Sequence, residues 1–152
     1  MTVELIYWDS DAFLGWFQAE TGKVELCEGT LERARAGEVV IITSALTLAE
    51  VLWLRGAPRI PHEKADLVRR FFRRSHFRVR NVTRAIAEAA QDLVWNQSVK
   101  PKDAIHVATA IDADVTILET FDANLIKKST RLGSPPLTIR RPIPPRQPRL
   151  FS

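Results

Sequence analysis

Four carboxylates stand where an α/β chain can concentrate chemistry. Asp9 directly follows an apolar run at residues 3–8, Glu50 lies inside a helical stretch, Asp103 comes just after Pro101, and Asp122 lies beyond the run ending at Leu118. In open α/β sheets functional groups collect at the carboxyl ends of strands, where loops lead into helix N-termini. Asp9, Asp103 and Asp122 can each also be read as a helix cap or a complement to a helix dipole. Glu50 fits such a reading least, because Leu46, Leu48, Ala49, Val51 and Leu52 surround it. A carboxylate in that company needs a cation or a raised pKa. Carboxylates converging on one cleft repel one another unless a divalent ion neutralises them. Oxygen-only ligands suit the hard ions Mg²⁺ and Mn²⁺, which keep several waters and also bind phosphate oxygens. His62, His76 and His106 do not form a zinc spacing, and Cys27, the only cysteine, excludes an intrachain disulfide and a multi-cysteine zinc centre. His106, three residues past Asp103, shares roughly one helix face with it and reads as a packed histidine bordering the site.

The elements that must position these groups alternate. Residues 3–8 read as a strand, 12–18 as a helix, 25–36 as an amphipathic helix closed by Gly37, and 39–42 as a β-branched strand buried on both faces. Thr43 or Ser44 caps a helix through Leu54, ended by Gly56-Ala57-Pro58. Pro61 opens a helix to Arg74. Phe77, Val79 and Val82 then mark a strand, and Thr83 caps a helix to about Asn96. A helix over 102–111, a strand over 115–118 and a short helical turn at Asp122 complete the series. The expected fold is α/β: a three-layer α/β/α sandwich around a mostly parallel sheet. The domain is read as residues 1–132, followed by a Pro/Arg-rich tail over 133–152. That tail holds six of the nine prolines, reads as irregular or disordered, and has one strand, 137–139, that can pack on the domain.

The order of segments resembles the PIN-domain ribonucleases, especially VapC-type toxins of toxin–antitoxin pairs. The resemblance rests on Tyr7-Trp8-Asp9-Ser10-Asp11, Thr43-Ser44-Ala45-Leu46-Thr47-Leu48-Ala49-Glu50-Val51, Pro101-Lys102-Asp103-Ala104-Ile105-His106-Val107-Ala108-Thr109-Ala110, and Leu118-Glu119-Thr120-Phe121-Asp122. It spans roughly residues 3–126. It implies an acidic site of Asp9, Glu50, Asp103 and Asp122, with Ser44 and Thr120 steadying the carboxylates or a bound water. Asp9, Asp103 and Asp122 would hold Mg²⁺ or Mn²⁺, and Glu50 would orient the water or help to bind a second ion. The implied reaction is endonucleolytic hydrolysis of RNA that leaves a 5′-phosphate and a 3′-hydroxyl. A cognate antitoxin and a homodimer are the implied partners. Two positions depart from the family pattern: Asp11 adds a charge where a small polar residue is common, and Leu125 replaces an aromatic, which implies a packing change only.

Charge and composition agree with such a substrate. Net charge is +4, distributed as −6 over residues 1–54, +8 over 55–84, −5 over 85–126 and +7 over 127–152. Basic surface of this kind attracts polyanions. Arg69, Arg70, Arg73 and Arg74 cover one broad helix face, and Arg78 and Arg80 share a strand face, so all six are candidate RNA-backbone contacts. In the tail, Arg140, Arg141, Arg146 and Arg149 are further RNA candidates, and Leu150 and Phe151 could dock on a partner. Phe71, Phe72, Trp8, Trp53 and Trp95 read as core, while Trp16 is open between core and a partner surface. No apolar run approaches the roughly 20 residues that span a bilayer, and no basic stretch precedes an apolar segment at the N-terminus. The expected location is therefore the cytoplasm, with no membrane partner. Two other classes compete with the nuclease. Asp9-Ser10-Asp11 after an apolar strand mimics the nucleophile motif of haloacid dehalogenase-type phosphatases, and a PIN-like module can bind RNA or protein without turnover. A covalent aspartyl-phosphate on Asp9 distinguishes the first, and metal binding without RNA cleavage the second.

Overall fold

The computed structural model describes residues 2–145. Five strands form one sheet: β1 (Glu4–Trp8), β2 (Val39–Ser44), β3 (Phe77–Arg80), β4 (Ile117–Glu119) and β5 (Thr138–Arg140), in the spatial order β3-β2-β1-β4-β5. Every ladder is parallel. Parallel neighbours need crossovers, and these are supplied by α1 (Ser10–Phe17), α2 (Val24–Arg35), α3 (Ala45–Glu50), α4 (Ala65–Phe72), α5 (Arg84–Gln97), α6 (Pro101–Asp112) and α7 (Ala123–Ile126).

The two faces of β1 show why three layers form. Ile6 and Trp8 point to one side, where they pack with Phe13, Leu31, Phe71, Phe72 and Phe77 from α1, α2, α4 and β3. Tyr7 points to the other, into a core with Ile86, Ala90, Ala104 and Val107 from α5 and α6. A strand alternates its side chains, so a central strand with helices on both faces must be apolar throughout, as this one is. The three-layer sandwich expected from the sequence is the fold observed.

Several boundaries differ from the sequence reading. The helix expected to run through Leu54 stops at Glu50, because the next amides turn back on i−3 carbonyls: Leu52 N–H bonds Ala49 O at 3.2 Å and Trp53 N–H bonds Glu50 O at 3.2 Å. The helix expected to open at Pro61 begins as a 3₁₀ turn, His62–Lys64, before α4. Trp53 and Trp95, read as core, are 70% and 73% exposed, whereas Trp8, Phe71 and Phe72 are buried. Trp53 falls on the turn after the shortened α3, so helical spacing no longer directs it inward. Trp16 stacks on Phe71 with centroids 5.3 Å apart and donates its indole N–H to Glu28 at 2.8 Å.

The segment read as a tail is ordered over its described part. Its strand pairs with β4, and Leu137 and Ile139 are buried in the α5–α6 core. Residues 143–145 then cross α2 so closely that a Cβ on Gly29 would lie 2.0 Å from Ile143 O. Disorder is therefore wrong for residues 133–145: two buried aliphatic side chains and a strand ladder hold this stretch in place. Arg146, Arg149, Leu150 and Phe151 lie outside the described residues.

Candidate active site

In the order β3-β2-β1-β4-β5 the chain direction of sheet growth reverses between β1 and β4. Such a switch point opens a crevice beyond the carboxyl ends of the two strands. Asp9 follows β1 and Asp122 caps α7 shortly after β4, so the two aspartates flank that crevice. Thr120 joins them. Its hydroxyl donates to Asp9 Oδ2 at 2.7 Å and accepts the Asp122 N–H at 3.1 Å. Asp9 Oδ1 takes the Ala12 N–H at 3.0 Å as the cap of α1, and Asp122 Oδ1 takes the Asn124 N–H at 2.9 Å. The capping role weighed for both aspartates is thus present.

Glu50 ends α3 and reaches across to the start of α1 and to α6. Ser10 Oγ donates to its Oε1 at 2.5 Å, and His106 Nε2 lies 2.9 Å from the same oxygen. The apolar wall expected around Glu50 is only partly formed: Val51 is buried, but Leu48 and Leu52 are exposed. Asp103, half-buried in the first turn of α6, feels the charges of Asp122 and Glu50. Thr120 thus ties Asp9 to Asp122, Ser10 next to Asp9 holds Glu50, and Asp103 lies within electrostatic reach of Asp122 and Glu50. The four carboxylates do not form a closed ligand cage: among the described residues, no three acidic, histidine or cysteine side chains stand close enough together to enclose an ion.

The electrostatics mark the crevice as short of positive charge. Burial lifts the Asp9 carboxyl to about 7, against the pull of His106 and the Thr120 hydrogen bond. Burial, with the Asp122 charge behind it, also raises Asp103. Burial acts to raise Glu50 as well, but the hydrogen bonds from His106 and Ser10 outweigh it and hold this group below the ordinary glutamate value.

Ser44 is buried, and its hydroxyl accepts the Leu46 N–H at 3.1 Å, so it steadies the start of the helix that carries Glu50. Asp11 does not leave a free charge in the crevice. Arg55 pairs with its Oδ1, and its Oδ2 accepts the Phe121 N–H at 3.1 Å. Leu125, on α7, is buried in the α5–α6 core, a packing role. Sequence reasoning missed Ser10 and Tyr7 as partners of the site. The period-two pattern of β1 places Tyr7 opposite Trp8, but only α6 brings His106 to its hydroxyl, at 2.7 Å.

The arginines fall in two places. Arg69 and Arg73 line a groove of about 1150 Å³ between α3, the 58–62 loop and α4, with Leu48, Leu52 and Phe72 along its floor. Arg70 is exposed on the same helix, and Arg74 lies over the Phe71 ring. Arg78 is exposed on the edge strand, whereas Arg80 is paired with Asp112 at 2.7 Å. Of the tail arginines, Arg140 lies 3.4 Å from the buried Glu119, and Arg141 lies over Phe121.

The PIN domain family model matches residues 6–130. Among solved structures, the chain is similar to VapC20 of Mycobacterium tuberculosis, a sarcin-ricin loop cleaving toxin, at 22% identity and a TM-score of 0.60, over 78% of this chain and 91% of that one. It is also similar to FitAB bound to an IR36 DNA fragment, at 16% identity and a TM-score of 0.58, over 90% of this chain and 94% of the other. FitAcB from Neisseria gonorrhoeae aligns at 16% identity with a TM-score of 0.56, over 90% of this chain and 97% of the other. At these identities the likeness concerns the fold. Among curated proteins, none matches the chain.

Proposed function

The chain belongs to the PIN domain family, and on that premise we propose that it is a divalent-metal-dependent endoribonuclease, the toxin of a type II toxin–antitoxin pair. The observation that carries this reading is the pair Asp9 and Asp122 flanking the sheet's switch point, tied by Thr120. The likeness to a sarcin-ricin loop cleaving toxin supports the toxin assignment.

The donor set suits a hard divalent ion. It is all oxygen, and burial raises the pKa of two of its carboxyls, Asp9 and Asp103, a cost to their charged forms that a cation would offset. A closed cage is not required, because Mg²⁺ keeps several waters and takes only one or two protein carboxylates directly. Asp9, Asp103 and Asp122 would hold the ion. When bound, it supplies activation of the attacking water and neutralises charge developing on the phosphate. Thr120 holds Asp9 in place, and Ser44 fixes the start of α3. Glu50, ionised through its hydrogen bonds, accepts from the attacking water and orients it in line with the leaving 3′-oxygen. The products are a 5′-phosphate and a 3′-hydroxyl. Arg69 and Arg73, with the exposed Arg70 and Arg78, provide backbone contacts that give affinity without sequence choice. A cognate antitoxin would occlude this face, and a homodimer in the cytoplasm belongs to the same reading.

The test is cleavage of end-labelled structured RNAs by the purified chain, freed of any antitoxin, with Mg²⁺ or Mn²⁺ and with EDTA. The expected result is metal-dependent cutting with 5′-phosphate ends, absent in Asp9→Asn. Metal binding by folded protein without cutting of tRNA, rRNA or mRNA would favour the binding module instead.

A further inference from the structure

The chemistry proposed above uses His106 only as one of the hydrogen bonds that keep Glu50 ionised, yet the ring is 2% exposed and its placement is specific. Both of its ring nitrogens are engaged. Nδ1 lies 2.7 Å from the Tyr7 hydroxyl, and Nε2 lies 2.9 Å from Glu50 Oε1 and 3.1 Å from Ser10 Oγ. An ionised carboxylate only accepts, so Nε2 must carry the proton shared with Glu50. In the neutral ring Nδ1 is then the acceptor, and the Tyr7 hydroxyl is the donor that matches it. Ser10 donates its own proton to Glu50 Oε1, which leaves an oxygen lone pair facing the Nε2–H.

Two donors therefore converge on Oε1. Among the described residues no side-chain or backbone donor bonds Oε2. Glu50 is the last residue of a six-residue helix. Holding one oxygen from two sides fixes the plane of the carboxylate and leaves the second oxygen for the cleft.

We propose that His106 is a positioning residue, kept in its Nε2–H form by Tyr7, which fixes Glu50 through Oε1 and leaves Oε2 as the oxygen available to the attacking water. The proposal rests on Glu50 being the water-orienting group of the nuclease. Strand β1 then serves the site twice. Its end delivers Asp9, and Tyr7, on the opposite face from Trp8, secures the ring that aims Glu50.

The test combines single-turnover cleavage with ¹⁵N NMR of the imidazole in the ion-free protein. Loss of an interaction that orients a site group typically costs about 10- to 100-fold. His106→Leu is expected to lower the cleavage rate by about that factor, while RNA affinity in EDTA is unchanged. His106→Gln, whose amide N–H can reach Glu50, is expected to recover most of the rate. Glu50→Gln should add little further loss in the His106→Leu background, because residues acting as a unit are not additive. The NMR spectrum should show the proton on Nε2 in wild type and mixed tautomers in Tyr7→Phe. A proton on Nδ1 alone, or a His106→Gln variant no faster than His106→Leu, would overturn the proposal. Should His106→Leu fail to fold, the His106→Gln and Tyr7→Phe arms decide. If the wild type cuts no RNA, the nuclease reading falls by itself; the tautomer then decides the positioning of Glu50, an Nε2 proton supporting it and an Nδ1 proton overturning it.

Discussion

Asp9 does two jobs with one carboxylate, capping α1 through Oδ1 and accepting Thr120 through Oδ2, while buried enough to lift its pKa to about 7. The sign of the consequence follows from linkage. The folded carboxyl binds its proton more tightly than the unfolded one, whose value is 3.8. Between about pH 4 and pH 7 the folded state therefore holds the extra proton, and stability contributed by Asp9 is lost as pH rises through that window. In EDTA, the melting temperature of the wild type relative to Asp9→Asn should fall between pH 5 and pH 8; a relative rise would contradict the burial argument. Divalent ions compete for the same oxygens, so ion uptake below pH 7 should release protons, measurable by titration calorimetry in buffers of different ionisation enthalpy. Asp9→Asn keeps the shape and the Ala12 bond but removes a charged ligand. It should stay folded by circular dichroism and lose metal-dependent cleavage. Each of these expectations was partly readable in the residue types. What was not readable was Asp11, whose added charge the sequence places beside the site and whose partner, Arg55, lies 44 residues away.

At the scale of elements, most of the arginines proposed to grip RNA cluster on and just beyond α4. Arg73 sits just beyond the C-terminus of α4 and lines the apolar groove beside α3, and in the proposed nuclease it is a backbone-phosphate contact. Arg73→Ala should weaken RNA binding and lower the salt slope by about one phosphate equivalent, leaving cleavage at saturating RNA unchanged. Filter binding at several salt concentrations reads both quantities. Helix α2 illustrates a different constraint. Gly29 is there because the 143–145 segment crosses the helix, and its Cβ position is occupied by backbone atoms of that segment. Gly29→Ala should displace the crossing and destabilise the chain by about 1–3 kcal/mol, the usual cost of overpacking, seen as a lower urea midpoint. No sequence pattern announces this, because the crossing partner is more than a hundred residues distant.

At the scale of the whole molecule, the parallel sheet decides where the domain ends. Residues 1–132 would form the layered core without β5, yet Leu137 and Ile139 are among its most buried side chains, and Arg140 reaches the buried Glu119. Glu119 is itself held by Trp8 Nε1 at 2.9 Å and Thr30 Oγ1 at 2.6 Å, so β1, α2, β4 and β5 meet at one carboxylate. A chain ending at residue 132 should therefore lose Leu137 and Ile139 from the core, and with them cooperative unfolding. Thermal unfolding that matched the full chain would show that residues 133–152 are dispensable for the fold. The alternating charge blocks have a reading at this scale too: acidic segments supply the crevice, and the block at 55–84 supplies Arg69 and Arg73 along the adjoining groove.

Alternation of apolar strand runs with capped helices was enough to determine a three-layer α/β sandwich, because burial on both faces of a parallel sheet leaves its mark in continuous apolar runs such as Val39-Val40-Ile41-Ile42. Asp9 and Asp122 stood out because residues after strands in such a sheet share one end, whereas Glu50 and Asp103, which lie within helices, joined them as one site through the resemblance to PIN-domain ribonucleases. Tertiary structure decided what local pattern cannot encode. It set the strand order that puts β1 beside β4, the Arg55 charge against Asp11, the exposure of Trp53 and Trp95, and the Tyr7–His106–Glu50 chain drawn from three elements. Periodicity reports which face a side chain takes within its own element, whereas these outcomes depend on which other element lies against that face, and that is settled only when the layers pack.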